Sequence, residues 1–179
     1  MKVLVAFASK YGATKGMAEF IGEKLHQRGI DADVQEVDKV RDVKAYDASV
    51  IGSALYMFHW MKEAKQFVSR NRSLLASRPV WLFSSGPIGK ETKDKNGRDV
   101  KEVSGPNELD EIKKGINLRD HRVFFGALDS SRLTGLTGWS YRMAMKSEEA
   151  RKSMPEGDFR DWNEIDSWVA SIAEALKAQ

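Results

Sequence analysis

The sequence predicts an α/β fold, a doubly wound, five-stranded parallel sheet with helices on both faces. Three observations carry that expectation. Val3-Leu4-Val5-Ala6-Phe7 is a short, wholly apolar run, as a strand covered on both sides requires. Four further strand-like segments follow, most of them separated by stretches of helical periodicity. The segments after the first, third and fourth strands are rich in Gly, Ser and Ala, and open α/β sheets bind ligands beyond the carboxyl ends of their strands.

Each element has its own signal. From Thr14 onward, Met17, Ala18, Ile21 and Leu25 recur at helical spacing until Arg28-Gly29 closes the helix. Ala32, Val34 and Val37 suggest a second strand, and Tyr46 to Gly52 a third. Ala64, Phe67, Val68 and Leu75 mark one further helix, and Val80-Trp81-Leu82-Phe83 a fourth strand after the breaker Pro79. A charged, glycine-containing insertion at about 89–106 shows no clear periodicity. Pro106-Asn107 reads as a helix start, with Leu109 and Ile112 on one face. Val123 to Leu128 is the fifth strand, and a long irregular excursion spans about 129–160. Asp161 and Glu164 form a capping box for the last helix, whose apolar stripe is Ile165, Trp168, Val169, Ile172 and Leu176. With no internal repeat and no linker-like stretch, residues 1–179 are expected to form one domain.

Bulk composition narrows the function classes. The chain has 179 residues, 41% of them hydrophobic, enough for a real core. Lys and Arg number 29 against 26 Asp and Glu, and a net charge of +3 falls short of a nucleic-acid footprint. The absence of cysteine excludes disulfides, a thiolate nucleophile and cysteine-ligated clusters. No run approaches the roughly 18–20 apolar residues of a membrane span, and Met1 to Val5 leads straight into a strand pattern. A cytoplasmic protein is the expectation.

Three strand-end loops carry the candidate site. Ser9-Lys10-Tyr11-Gly12-Ala13-Thr14 leads from the first strand into a helix, whose free amides and dipole favour an anion. Ser9 and Thr14 add hydroxyls, and Lys10 and Lys15 flank the loop. The same stretch also reads as an ordinary strand-to-helix turn with Thr14 near the cap. Neither the G-x-G-x-x-G dinucleotide pattern nor the G-x-x-x-x-G-K-[ST] P-loop is present. The second loop is Gly52-Ser53-Ala54-Leu55-Tyr56-Met57, where Tyr56, with Trp60 nearby, can cover a flat ligand or simply pack. The third, Ser84-Ser85-Gly86-Pro87-Ile88-Gly89, offers a backbone-lined wall for a polar ring edge. One terminal phosphate and a flat hydrogen-bonding ring match flavin mononucleotide (FMN). His26, His59 and His121 are isolated, with only His59 near the ring site, and Asp94 and Asp99 read as a solvated loop, so no metal is expected.

These three loops resemble the flavin-binding loops of the flavodoxin family, and the resemblance covers nearly the whole chain. It implies a flavodoxin-like fold with FMN as cofactor. The phosphate would lie on Ser9, Lys10, Tyr11, Gly12, Ala13 and Thr14. The isoalloxazine ring would lie on Ser53, Ala54, Leu55 and Tyr56 and on Ser85, Gly86, Pro87, Ile88 and Gly89. Phe125-Gly126-Ala127-Leu128, Trp139 to Lys146, Asp161-Trp162 and the insertion after the fourth strand are similar to the branch containing bacterial menaquinone-dependent protoporphyrinogen oxidases.

The resemblance implies a redox protein passing electrons or hydride through the flavin, and so an FMN-dependent oxidoreductase. Its partner would be a redox protein, or a quinone or porphyrinogen. Protoporphyrinogen oxidation with a quinone acceptor is the specific alternative. Electron-carrier flavodoxins are acidic, whereas this chain is slightly basic, so its docking partner need not be a basic one. In residues 137–154, Trp139, Met143 and Ala150 can share a helix face with Arg142, Lys146, Arg151 and Lys152 nearby, a composition suited to peripheral contact with an anionic membrane, to an acidic partner, or to an ordinary surface helix packed on the sheet. A flavin-free regulatory module is the remaining alternative. Receiver domains of that kind need clustered aspartates, and the first strand here ends in Ala8-Ser9.

Overall fold

The computed structural model describes residues 1–153 and 155–178. Met154, the end of the stretch read as a possible membrane contact, and Gln179 lie outside the described residues. The sheet is built on β1 (Lys2–Ala8), which lies between β2 (Asp31–Glu36) and β3 (Ala48–Tyr56), all parallel. The order continues through β5 (Pro79–Ser85) to β6 (Asn117–Phe124), giving β2-β1-β3-β5-β6. The order reverses between β1 and β3, the switch point at which open sheets of this kind bind ligands.

Alternation along β1 explains its unbroken apolar run. Val3, Val5 and Phe7 pack on one face against α1 (Ala13–Gln27) and α8 (Trp162–Lys177). Leu4, Ala6 and Ala8 pack on the other, against α2 (Lys62–Arg70), α3 (Arg72–Ser77) and α5 (Leu109–Lys113). Both the α1 stripe of Met17, Ala18, Ile21 and Leu25 and the five-residue α8 stripe are buried as the spacing predicts. α1 begins at Ala13, one residue before the expected Thr14.

Several boundaries differ from expectation. The third strand runs on to Tyr56, because the chain doubles back antiparallel as β4 (His59–Trp60), pairing Leu55 with Trp60 and Tyr56 with His59. Met57 and Phe58 make the tip with φ of 49° and 63°. The single helix expected over Ala64 to Leu75 is broken at Asn71, whose side-chain amide donates to the Phe67 carbonyl. Pro79 opens β5 rather than preceding it, a position where a strand tolerates proline.

The fifth strand occupies Asn117–Phe124, earlier than its apolar end suggested. It is a half-exposed edge strand in which Arg119, Asp120, His121 and Arg122 mask the signal. Beyond Phe125-Gly126 the chain leaves the sheet, and β7 (Ala127–Leu128) pairs antiparallel with β8 (Gly157–Asp158).

The insertion is ordered by a Lys93–Asp99 bridge around Asp94 and by the one-turn α4 (Val100–Val103). α5 starts at Leu109, with Pro106-Asn107 still in a turn. The excursion is more regular than its sequence implies. It holds a 3₁₀ turn (Ser130–Arg132), α6 (Gly135–Ala144) and α7 (Glu148–Ser153). Trp139 and Met143 lie on α6 and Ala150 on α7, so the three do not share one helix face.

Asp161 caps α8, its Oδ1 accepting from the Asn163 and Glu164 amides, both at 3.0 Å. The return arm of the box is not made, since the Glu164 carboxylate pairs with Lys101 instead. Asp161→Ala is expected to cost about 1 kcal/mol, read as a lower denaturant midpoint at unchanged m-value.

Candidate functional site

Gly12 allows the abrupt passage from β1 into α1. Its φ of 92° is open to glycine and strained for other residues. The Gly12 amide donates to Ser9 Oγ at 3.1 Å, and the first intrahelical bond runs from Gly16 N to Gly12 O at 3.0 Å. The amides of Ala13, Thr14 and Lys15 precede that bond and have no carbonyl acceptor within the helix. No acidic residue stands in the first turn to oppose an anion. Thr14 is 0% exposed, and its Oγ1 is buried without a hydrogen-bond partner. An unsatisfied buried hydroxyl costs about 1–3 kcal/mol. A ligand oxygen seated on the helix end would satisfy it, so the residues present fit a phosphate.

A cavity of about 580 Å³ opens beside this cradle. Ser9, Lys10, Tyr11, Ala13 and Thr14 line it from the first loop, Ala54, Leu55 and Tyr56 from the end of β3, and Ser85, Gly86 and Ile88 from the end of β5. Gly12 faces two neighbouring clefts instead. Tyr11 and Tyr56 meet edge to face with centroids 6.4 Å apart. Partial burial, with Tyr11 adjacent, raises the Tyr56 phenol above its ordinary range, so it stays neutral at physiological pH.

Besides Gly12, three expected residues lie outside the cavity. Ser53 is buried and staples the β3–β4 hairpin, donating to Ala54 O and accepting from Met61 N, each at 3.0 Å. The Pro87 carbonyl accepts from Gly126 N at 2.9 Å. Gly89 turns away with φ of 131°.

Trp60, expected near the ring, is buried in the core below it. Its indole N–H donates to Ser84 Oγ at 2.8 Å, and Ser84 Oγ lies 3.0 Å from His121 Nε2. An indole can only donate, so Ser84 accepts from Trp60 and its own proton is free for a neutral His121. Burial pushes the His121 imidazole down to about 4, with Asp120 opposing the shift and Lys113 adding to it. His59 pairs with Glu108 at 2.8 Å rather than lining the cavity. Lys15 lies 3.7 Å from Glu19.

The sequence reading missed the fourth wall. Gly126, Ala127 and Leu128 close the cavity from one side, and Leu133, Tyr141 and Ala144 of the excursion from another. It also missed Arg132 and Arg160. Arg132 Nη1 donates to Tyr11 O at 3.3 Å and Arg160 Nη1 to Ala13 O at 3.2 Å, across more than a hundred residues of chain. No local pattern marks either arginine. The nearest signal is an aspartate close before each, Asp129 and Asp158, with which they pair.

A parallel sheet with this strand order, an anion cradle at its switch point and an apolar cavity alongside defines a doubly wound mononucleotide-binding protein. Residues 4–154 match the family model described as a flavodoxin domain, and the chain belongs to the flavodoxin family. That membership implies FMN as the cofactor and redox chemistry as the class of function.

Among curated proteins, the chain is 23% identical to the protoporphyrinogen IX dehydrogenase [quinone] of Escherichia coli strain K12, over 97% of this chain and 95% of that protein. Solved structures share the fold. A flavodoxin from the domain Archaea aligns with a TM-score of 0.58 at 18% identity, over 99% of both chains. Flavodoxin 1 from Bacillus cereus aligns with a TM-score of 0.60 at 13% identity, over 97% of this chain and 98% of that one. Among the described residues, no helix is long and apolar enough to cross a membrane.

Proposed function

We propose that this chain is an FMN-dependent oxidoreductase whose α1 cradle holds the flavin phosphate and whose β3, β5 and excursion walls hold the ring. The buried, unpartnered Thr14 hydroxyl at the mouth of a helix whose first turn carries no acidic residue supports this reading most directly. FMN, when bound, supplies the electron or hydride chemistry, and the protein supplies binding, orientation and electrostatics. The amides of Ala13, Thr14 and Lys15 and the Thr14 hydroxyl would bind the phosphate. Ala54, Leu55, Ile88 and Leu133 would exclude water from the ring, and the backbone around Ser85 and Gly86 would meet its polar edge. Met57, 88% exposed, stands at the rim where an apolar electron donor or acceptor would approach.

The second reading is oxidation of protoporphyrinogen with a quinone acceptor. The Escherichia coli relative supports it, because the similarity runs the length of both proteins. Exposed Leu136, Trp139 and Met143 on α6, beside Arg142, support peripheral contact with an anionic membrane where a quinone would be met.

The purified protein is expected to be yellow and to release FMN, rather than riboflavin or a dinucleotide, on heating. A colourless protein with no affinity for added FMN would refute the first reading. The second is tested by anaerobic incubation with protoporphyrinogen and a menaquinone analogue. Porphyrin fluorescence is expected to rise, and a rate equal to the enzyme-free control would refute it.

A further inference from the structure

We propose that Arg132 and Arg160 are positioning residues for the flavin phosphate, each gripping a carbonyl on the outer side of the cradle and so aiming the amide of the same peptide inward. This rests on the FMN reading above and assigns a task to two residues outside the loops that define the family resemblance. A trans peptide is planar, with its C=O and N–H pointing in opposite directions. Holding Tyr11 O therefore sets the direction of Gly12 N–H, and holding Ala13 O sets that of Thr14 N–H. The Gly12 amide donates to Ser9 Oγ at 3.1 Å, so the Arg132 grip sets the shape of the loop, whereas the Arg160 grip aims a Thr14 amide left for the phosphate. A charged donor on a carbonyl also polarises the peptide and strengthens its N–H as a donor.

Two further observations agree. A Cβ on Gly12 would run into Arg132 Nη1, and one on Gly16 would come within 2.7 Å of Arg160 Nη1. The two glycines thus keep clear the space that the guanidiniums fill. Each arginine is also held by its own aspartate. Arg132 Nε lies 3.1 Å from Asp129, and Arg160 makes a two-pronged pair with Asp158 at 2.8 and 2.6 Å. These carboxylates fix the guanidiniums and cancel much of their net charge, leaving directional hydrogen bonding as their main effect on the cradle. Arg160 is the firmer clamp. Its side chain is 16% exposed and lies over the Trp162 ring, 4.4 Å from its centroid. The two arginines stand near the start and at the end of the 129–160 excursion, so that segment braces the cradle at both ends.

The test compares FMN with riboflavin, which lacks the phosphate, by fluorescence titration of the full-length apoprotein. Arg160→Gln is expected to raise the FMN Kd about tenfold, the loss of one charge-assisted bond, and to change the riboflavin Kd less than about twofold. Arg132→Gln should shift the ratio in the same direction by less. Gly16→Ala replaces a poor helix former by a good one, so it keeps the fold while expelling the Arg160 guanidinium. It should reproduce the loss of FMN preference. Arg160→Lys keeps the charge without the fork and should keep most of the defect.

An unchanged FMN-to-riboflavin ratio in Arg160→Gln and Gly16→Ala overturns the proposal, as does full recovery in Arg160→Lys, which would make bulk charge the cause. A wild-type protein that binds neither flavin, or binds both equally, would instead overturn the FMN reading, and this proposal with it.

Discussion

Thr14→Val is expected to weaken FMN binding about thirtyfold, roughly the 2 kcal/mol of a hydrogen bond to a charged acceptor, while leaving the apoprotein at least as stable as the wild type. The two effects have opposite signs because the hydroxyl is unpaired when the cradle stands alone. Valine has nearly the shape of threonine and no polar atom, so removing the hydroxyl relieves a buried unsatisfied group. With phosphate bound, the same hydroxyl becomes a donor that valine cannot replace. FMN titration and urea denaturation of the apoprotein measure the two halves separately. Equal FMN affinity in the variant would show that the phosphate does not sit on Thr14. A variant both weaker in binding and less stable would show only a damaged fold.

The second large effect is on acid stability. His121 is held neutral by burial and titrates at about 4 in the folded chain, against about 6.5 when unfolded. The folded value is the lower one, so the unfolded state binds the proton first as pH falls. The stabilising contribution is complete above pH 6.5 and drains away between 6.5 and about 4, by up to about 3 kcal/mol. Protonation also turns His121 Nε2 from the acceptor of the Ser84 proton into a competing donor, which disturbs the Trp60–Ser84 link between β4 and β5. Urea unfolding of the wild type and of His121→Gln at pH 7 and pH 4.5 isolates this term, because the carboxylates titrate in both. The variant is expected to lose clearly less stability over that interval. Equal losses would exclude His121 as the acid-sensitive group.

Much of the fold was legible in the sequence wherever burial alone decides. The β1 run and the α1 and α8 stripes are apolar because sheet and helix faces meet there, and their periodicity needs no long-range information. β6 was placed late because an edge strand is half solvated, and its charged residues answer to partners elsewhere: Asp120 accepts from the Trp168 indole at 2.9 Å. The turn from β1 into α1 was legible because its signals are contained in six consecutive residues. Ser53 and Trp60 were not, since whether a polar group faces a ligand or staples a hairpin depends on the return of β4. Arg132 and Arg160 reach the cradle only after the excursion has folded back along β7 and β8, and nothing local to either residue announces that path.

The tip of the β3–β4 hairpin bears on how the mouth of the cavity is held. Met57 and Phe58 are both in left-handed backbone, at about 1–2 kcal/mol per residue for side chains other than glycine. They are kept there from outside. Asn107 N donates to Phe58 O at 2.8 Å, and the Glu108 carboxylate accepts from Trp60 N at 3.0 Å while pairing with His59 and Lys65. The rim is therefore a cocked spring whose catch sits on the segment leading into α5. Glu108 is thereby tied through His59 and the β4 pairing to Tyr56 at the cavity wall, although some fifty residues of chain separate the two.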